Sequence, residues 1–98
     1  LSSLPTWLTY FNCQGSNTIA DYSGRTWAGN QRYVYLVPVI GGGLSSSEID
    51  QLLIDLAVVS TWVIEKIVYL RGTNAARTAA SDAAVATLVS KGVTVTTT

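Results

Sequence analysis

Carboxylates and a single thiol are the side chains in this sequence that most invite a catalytic reading. They are Asp21, Glu48, Asp50, Asp55, Glu65, Asp82 and Cys13, and there is no histidine. The absence of histidine removes the commonest general base and the commonest zinc ligand. Asp50 with Asp55, or Glu48 with Asp82, could supply the paired carboxylates that cleave glycosidic bonds. Glu48, however, stands three residues after Ser45, where a capping box places it at a helix start. Asp50 and Asp55, with Gln51, fall on the outward face of the same expected helix. Asp21 near Asn17 offers oxygen ligands for calcium, but the spacing is not that of an EF-hand. Gly41-Gly42-Gly43 has the glycine content of a phosphate-binding loop, yet no Lys-Ser/Thr follows it. Cys13 takes an inward strand position with no base to activate it, which describes a buried, inert thiol. The expectation is therefore no catalytic residue, no metal ligand and no cofactor.

Recognition chemistry is better supplied. The tripeptide Val-Tyr-Leu occurs twice, at Val34-Tyr35-Leu36 and Val68-Tyr69-Leu70, 34 residues apart. Tyr33, Tyr35 and Tyr69 fall on one alternating face, with Arg32 and Arg71 beside them. Tyrosine gives large contact area at low entropic cost and a hydroxyl for hydrogen bonding. These five residues form the candidate binding surface. The competing reading is a cross-strand aromatic ladder that only stabilises a sheet. Trp7, Trp27 and Trp62 lie in or beside connections, where they either stack on sugar rings or plug loops against a core.

The elements that must position these side chains follow from period and punctuation. Leu8 to Cys13 opens the chain as a short half-buried strand, with Phe11 and Cys13 inward. Gly15-Ser16-Asn17 turns it, and Ile19 returns to the core. Asp21 to Gln31 is a polar connection pinned by Trp27. Arg32 to Val37 is a second strand, closed by Pro38. Ser45 caps a helix running to about Val58, with Ile49, Leu52, Leu53 and Leu56 at i, i+3, i+4 and i+7. Ser60 to Glu65 is a second connection, containing Trp62, and Lys66 to Arg71 is the third strand. Ala79 to Ser90 is a second helix with Ala84, Val85 and Leu88 inward, stopped by Lys91 and Gly92. Val93 to the threonine tail is a last strand.

Phe11, Val34, Val68 and Val93 begin successive inward pairs at spacings of 23, 34 and 25 residues. Self-similarity of this kind marks repeat architecture. Return helices between strands require parallel pairing. The pattern resembles a leucine-rich repeat. Leu8-x-x-Phe11-x-Cys13 is similar to the opening of that family's L-x-x-L-x-L, and Asn17 and Ile19 are similar to its N-x-L end with one residue inserted. Val68-x-Leu70-x-x-x-Asn74 is again one residue long, and the Val34 copy has Pro38 in place of the asparagine. Leu44 to Leu53, Leu70 to Ala76 and Leu88 to Thr96 resemble the ending of leucine-rich-repeat proteins from Bacteroidetes-type bacteria and phages, which are often surface or virion proteins. A capping role for the longer C-terminal helices suits a solenoid, whose last apolar face must be shielded from water.

The chain has 98 residues, 48% apolar and 12% charged, with six basic and six acidic side chains. That is rich enough to bury a core, and the low charge expects part of the surface to be covered. The scattered Arg25, Arg32, Lys66, Arg71, Arg77 and Lys91 exclude a nucleic-acid surface. The apolar run Leu56 to Ile64 is too short to enter a membrane as a span. Absence of methionine and the abrupt start at Leu1 lead us to expect part of a longer or processed polypeptide. The expected architecture is α/β: a leucine-rich-repeat-like solenoid fragment with a short parallel sheet and helices on the opposite side. One domain would cover 1–98, with irregular repeats over 1–43 and two strand-helix units plus a C-terminal cap over 44–98. The resemblance implies a non-enzymatic structural or interaction module, on a virion or on an extracellular or cell surface. Its partners would be proteins (neighbouring repeats, copies of itself, virion or surface subunits), with a glycan as a further ligand.

Overall fold

A computed structural model describes residues 4–15 and 21–98. The turn at Ser16-Asn17, the core position Ile19 and the Asn17 half of the calcium pair lie outside the described residues. Strand β1 spans Tyr10–Gly15 and β2 Gln31–Pro38. Helix α1 spans Ser46–Ala57, and strand β3 Trp62–Leu70. A 3-10 turn at Ala79–Ser81 leads into helix α2, Asp82–Ser90, and β4 spans Thr94–Thr97. The chain is a small α/β fold in which four parallel strands stand in the order β1-β2-β3-β4. Parallel crossovers keep one hand, so strands added in chain order bring successive helices to the same side.

That side is the alternating apolar face. Val34, Leu36, Val68 and Leu70 are buried in one cluster with Ile49, Leu52, Leu53 and Leu56 of α1 and Ala84 and Leu88 of α2. The capping box forms as its spacing predicts: Ser45 Oγ accepts from Glu48 N at 3.2 Å, and Glu48 Oε1 accepts from Ser45 N at 2.9 Å. Trp27 and Trp62 are buried in the same core.

Four expectations need correction. Asp50 does not face outward but is 5% exposed. Asp55 is half-buried rather than solvated. The third strand begins at Trp62, not Lys66, and stops at Leu70, leaving Arg71 beyond it. Gln31 pairs with Trp62 and Tyr33 with Ile67, so two steps on β2 oppose five on β3 and three extra residues bulge out. Finally, Val95, not Val93, pairs with Val68, and Val93 is buried ahead of β4.

The bulge carries backbone strain. Ile64 has φ 57° and Lys66 φ 53°. Left-handed backbone costs an L-residue about 1–2 kcal/mol and is least tolerated by β-branched side chains. Ile64 is 72% exposed, so it regains little by packing. Ile64→Gly is expected to raise stability by up to about 1 kcal/mol, read as a higher urea midpoint at unchanged slope.

The turns after β2 and β3 lie against each other. Thr73 N donates to Pro38 O at 2.8 Å. A Cβ on Gly72 (φ 70°) would fall 2.2 Å from that same carbonyl oxygen. A Cβ on Gly43 would fall 2.7 Å from Asn74 Oδ1, so Gly43 is a close-approach residue rather than part of a phosphate loop. Asn74 is buried and ties the two turns together. Its Oδ1 accepts from Leu44 N at 2.9 Å, and its Nδ2 donates to Leu36 O and Arg71 O, both at 3.0 Å.

At the opposite end of α1, Lys91 Nζ donates to Ala57 O at 2.8 Å and Val59 O at 2.7 Å. A cation on the last carbonyls satisfies them and suits the helix dipole. Lys91→Met keeps the apolar stem and loses both bonds. It is expected to cost about 1–2 kcal/mol by denaturant unfolding.

Candidate binding face

The strand face away from the helices has no described element packed over it. Parallel register puts Tyr10 beside Tyr33, and Tyr35 between Asn12 and Tyr69. The rings stack. Centroids are 4.7 Å apart for Tyr10 and Tyr33, 5.6 Å for Tyr33 and Tyr35, and 4.8 Å for Tyr35 and Tyr69, with planes within 10° of parallel. The three sequence-predicted tyrosines are thus brought together, and Tyr10 joins them. Tyr10 was legible: it stands two residues before Asn12 in the same alternation.

The arginines divide. The Arg32 guanidinium lies 5.2 Å from the Tyr10 ring centroid and pairs with Glu65 at 3.1 Å. It closes the β1 end of the row. Arg71 is exposed just past the end of β3. Thr94 and Thr96 extend the face beside Ile67 and Tyr69. Burial, then the neighbouring Tyr10, Tyr35 and Glu65, raise the Tyr33 pKa above its ordinary value. The Tyr33 hydroxyl therefore stays neutral and able to donate at physiological pH.

Stacking decides what this row presents. Interior rings cover one another's faces, so hydroxyls and ring edges point outward while few ring faces are free. Sugar stacking needs faces; protein contact uses edges and hydroxyls equally well. Trp7 is the exception among the tryptophans, at 75% exposed. Trp27 and Trp62 plug the core instead.

The carboxylates are held by donors rather than paired with each other. Asp50 accepts from Thr78 N at 2.9 Å, from Thr78 Oγ1, and from Ser81 Oγ at 2.6 Å. Burial drives its pKa up, but bonds from Ser81 and Thr78, with the Arg77 charge, outweigh it and hold the carboxyl below its ordinary range. Glu48 is likewise lowered, first by the Ser45 amide, against burial, with the Tyr22 amide assisting. Asp55 accepts from Tyr22 Oη, from Arg25 N at 3.2 Å and from Gln51 Nε2 at 2.7 Å. Asp82 pairs with Arg77 at 2.6 Å.

A cleft of about 290 Å³ lies beside Asp55, lined by Arg25, Trp27, Val58 and Val59 among others. Its charged groups are engaged: Arg25 covers Trp27 at 4.6 Å and donates to Leu4 O and Pro5 O. Cys13 is partly buried against the core. Among the described residues no cluster of three or more Cys, Asp or Glu could hold a metal ion. No helix among them is long and apolar enough to cross a membrane. Comparison with protein families, with curated proteins and with solved structures finds no match to this chain.

Proposed function

We propose that this chain is a non-enzymatic structural and interaction module, a fragment of a leucine-rich-repeat-like solenoid that offers its open sheet face to protein partners. The observation that carries this reading is the tyrosine row. Tyr10, Tyr33, Tyr35 and Tyr69 are aligned on the one sheet face without helices, with Arg32 and Arg71 at its margins. Strand order equal to chain order, with both helices on the other side, is the arrangement a solenoid repeats.

The leading assignment is a component of a phage virion: a fibre, decoration or adhesion element. It rests on the similarity of Leu44 to Leu53, Leu70 to Ala76 and Leu88 to Thr96 to such proteins. A second reading is a bacterial cell-surface or secreted domain that binds protein or glycan. Exposed Trp7 favours it, because its free ring can stack on a sugar.

Fractionating the source material on a density gradient and locating this chain's peptides by mass spectrometry separates the two. Peptides that band with nucleic-acid-containing particles are the expected result. Peptides confined to soluble or envelope fractions contradict the virion assignment and favour the second reading.

A further inference from the structure

Four of the five tyrosines stand in one row, and its contacts are uneven. Tyr10 lies 4.7 Å from Tyr33, and Tyr35 lies 4.8 Å from Tyr69, each pair directly opposite on neighbouring strands. Tyr33 and Tyr35, two positions apart on β2, are separated by 5.6 Å. The row therefore divides into two cross-strand pairs that share no ring. The fifth tyrosine, Tyr22, is 5% exposed and hydrogen-bonded to Asp55 and Trp27.

These spacings suit one reaction of phenols. A tyrosine that gives up one electron and its hydroxyl proton becomes a phenoxyl radical, with unpaired density on the Cε carbons. Two such radicals join through those carbons. Two directly joined rings have centroids separated by two ring radii and one carbon–carbon bond, slightly less than the spacing of either cross-strand pair. Rotation about Cβ–Cγ turns a stacked ring edge-on without moving its centroid, and that torsion is soft. The same-strand pair at 5.6 Å would have to close considerably further. Other ends for the radicals are remote. The chain has no methionine, and Cys13 lies in the core-side row with Leu36. Tyr10, 41% exposed, opens the row to an oxidant.

We propose that Tyr10 with Tyr33, and Tyr35 with Tyr69, are sites of oxidative coupling, at which a haem peroxidase using hydrogen peroxide joins β1 to β2 and β2 to β3. In each pair the two phenols together lose two electrons and two protons, and one peroxide takes them up to give two waters. A Cε–Cε bond forms. Each bonded carbon then releases its hydrogen as a proton, and each oxygen regains one. The bonds link residues 23 and 34 positions apart, so both close loops that restrict the unfolded chain. The inference stands on ring geometry alone, and it holds or fails whether or not the face binds a partner.

The test treats the 98-residue chain, at low concentration, with a plant haem peroxidase and hydrogen peroxide. The monomer is isolated by gel filtration and digested with trypsin. Cleavage after Arg25, Arg32, Lys66 and Arg71 puts Tyr10, the Tyr33 and Tyr35 segment, and Tyr69 on three peptides. Peptide 1–25 joined to 33–66, and 33–66 joined to 67–71, each linkage two hydrogens light, are the masses expected. Tyr10→Phe keeps a ring in the stack but forms no phenoxyl. It should lose the first linkage and keep the second, and Tyr35→Phe should do the reverse. A monomer of unchanged mass overturns the inference, as does coupling confined to larger species. So does a first linkage that survives Tyr10→Phe, because it then runs through Tyr22 or Trp7.

Discussion

Asn74→Ala is expected to destabilise the fold by about 3 kcal/mol, because it strands two buried backbone groups and a part-buried third at once. Leu44 N loses its acceptor, and Leu36 O and Arg71 O lose their donor. These groups belong to β2 itself and to the segments that follow β2 and β3, so the loss falls on the contact between successive strand-helix units. Water cannot replace the side chain without opening the stack, since Gly43 packs directly against it. A domain of this size has about 5–15 kcal/mol in total, so the variant should melt far earlier. Asn74→Asp separates hydrogen bonding from volume. It keeps an acceptor for Leu44 N but turns a carboxylate toward two carbonyl oxygens. Its defect should be at least as large at neutral pH and should ease on acidification, as protonation restores a donor. Thermal unfolding at two pH values reads both effects.

Asp50→Ala should be comparably damaging. It removes the one acceptor shared by Thr78 N, Thr78 Oγ1 and Ser81 Oγ, which anchors the start of α2 on α1. Bonds to a charged acceptor are the stronger kind, and losing three of them, one at buried Ser81 and two at the part-buried Thr78 contacts, costs about 2–3 kcal/mol. The pH dependence has a definite sign. The folded pKa of Asp50 is depressed relative to the unfolded chain. Its stabilisation is therefore complete above the unfolded value of about 3.9 and is lost as pH falls through the lower folded value. Glu48 acts in the same direction through the Ser45 cap. The stability gap between wild type and Asp50→Ala should accordingly be constant near neutrality and narrow in acid. A gap that widens in acid would contradict the hydrogen-bonded carboxylate.

Much of the frame was legible because it is written in local periods. Ser45 and Glu48 announce α1, and Ile49, Leu52, Leu53 and Leu56 fix the side it buries. Val34 with Leu36, and Val68 with Leu70, set the inward face, which leaves Tyr33, Tyr35 and Tyr69 on the other. What escaped depends on distant partners. Asp50 looks like an outward helix carboxylate until Thr78 and Ser81, 28 and 31 residues away, come to it. Lys91 looks like a local stop signal, yet it caps a helix more than thirty residues earlier. The β3 bulge escapes because Val63 to Glu65 read as the end of a connection, and no glycine marks the left-handed backbone at Ile64 and Lys66.

The tyrosine row admits two roles, and they differ in what a partner does to it. A ladder that only braces the sheet needs no cover, and stacked pairs of this kind are worth about 0.5–1.5 kcal/mol each beyond burial. A binding face should be shielded when the chain is in its native assembly. Tyrosine-directed chemical footprinting, comparing the isolated chain with the particle or envelope that carries it, tests this most directly. Protection of Tyr33, Tyr35 and Tyr69, with the exposed helix-side residues of α1 unchanged in a parallel hydroxyl-radical footprint, is the predicted result. Equal tyrosine reactivity in both states would contradict a binding role and leave the row as a brace within the sheet.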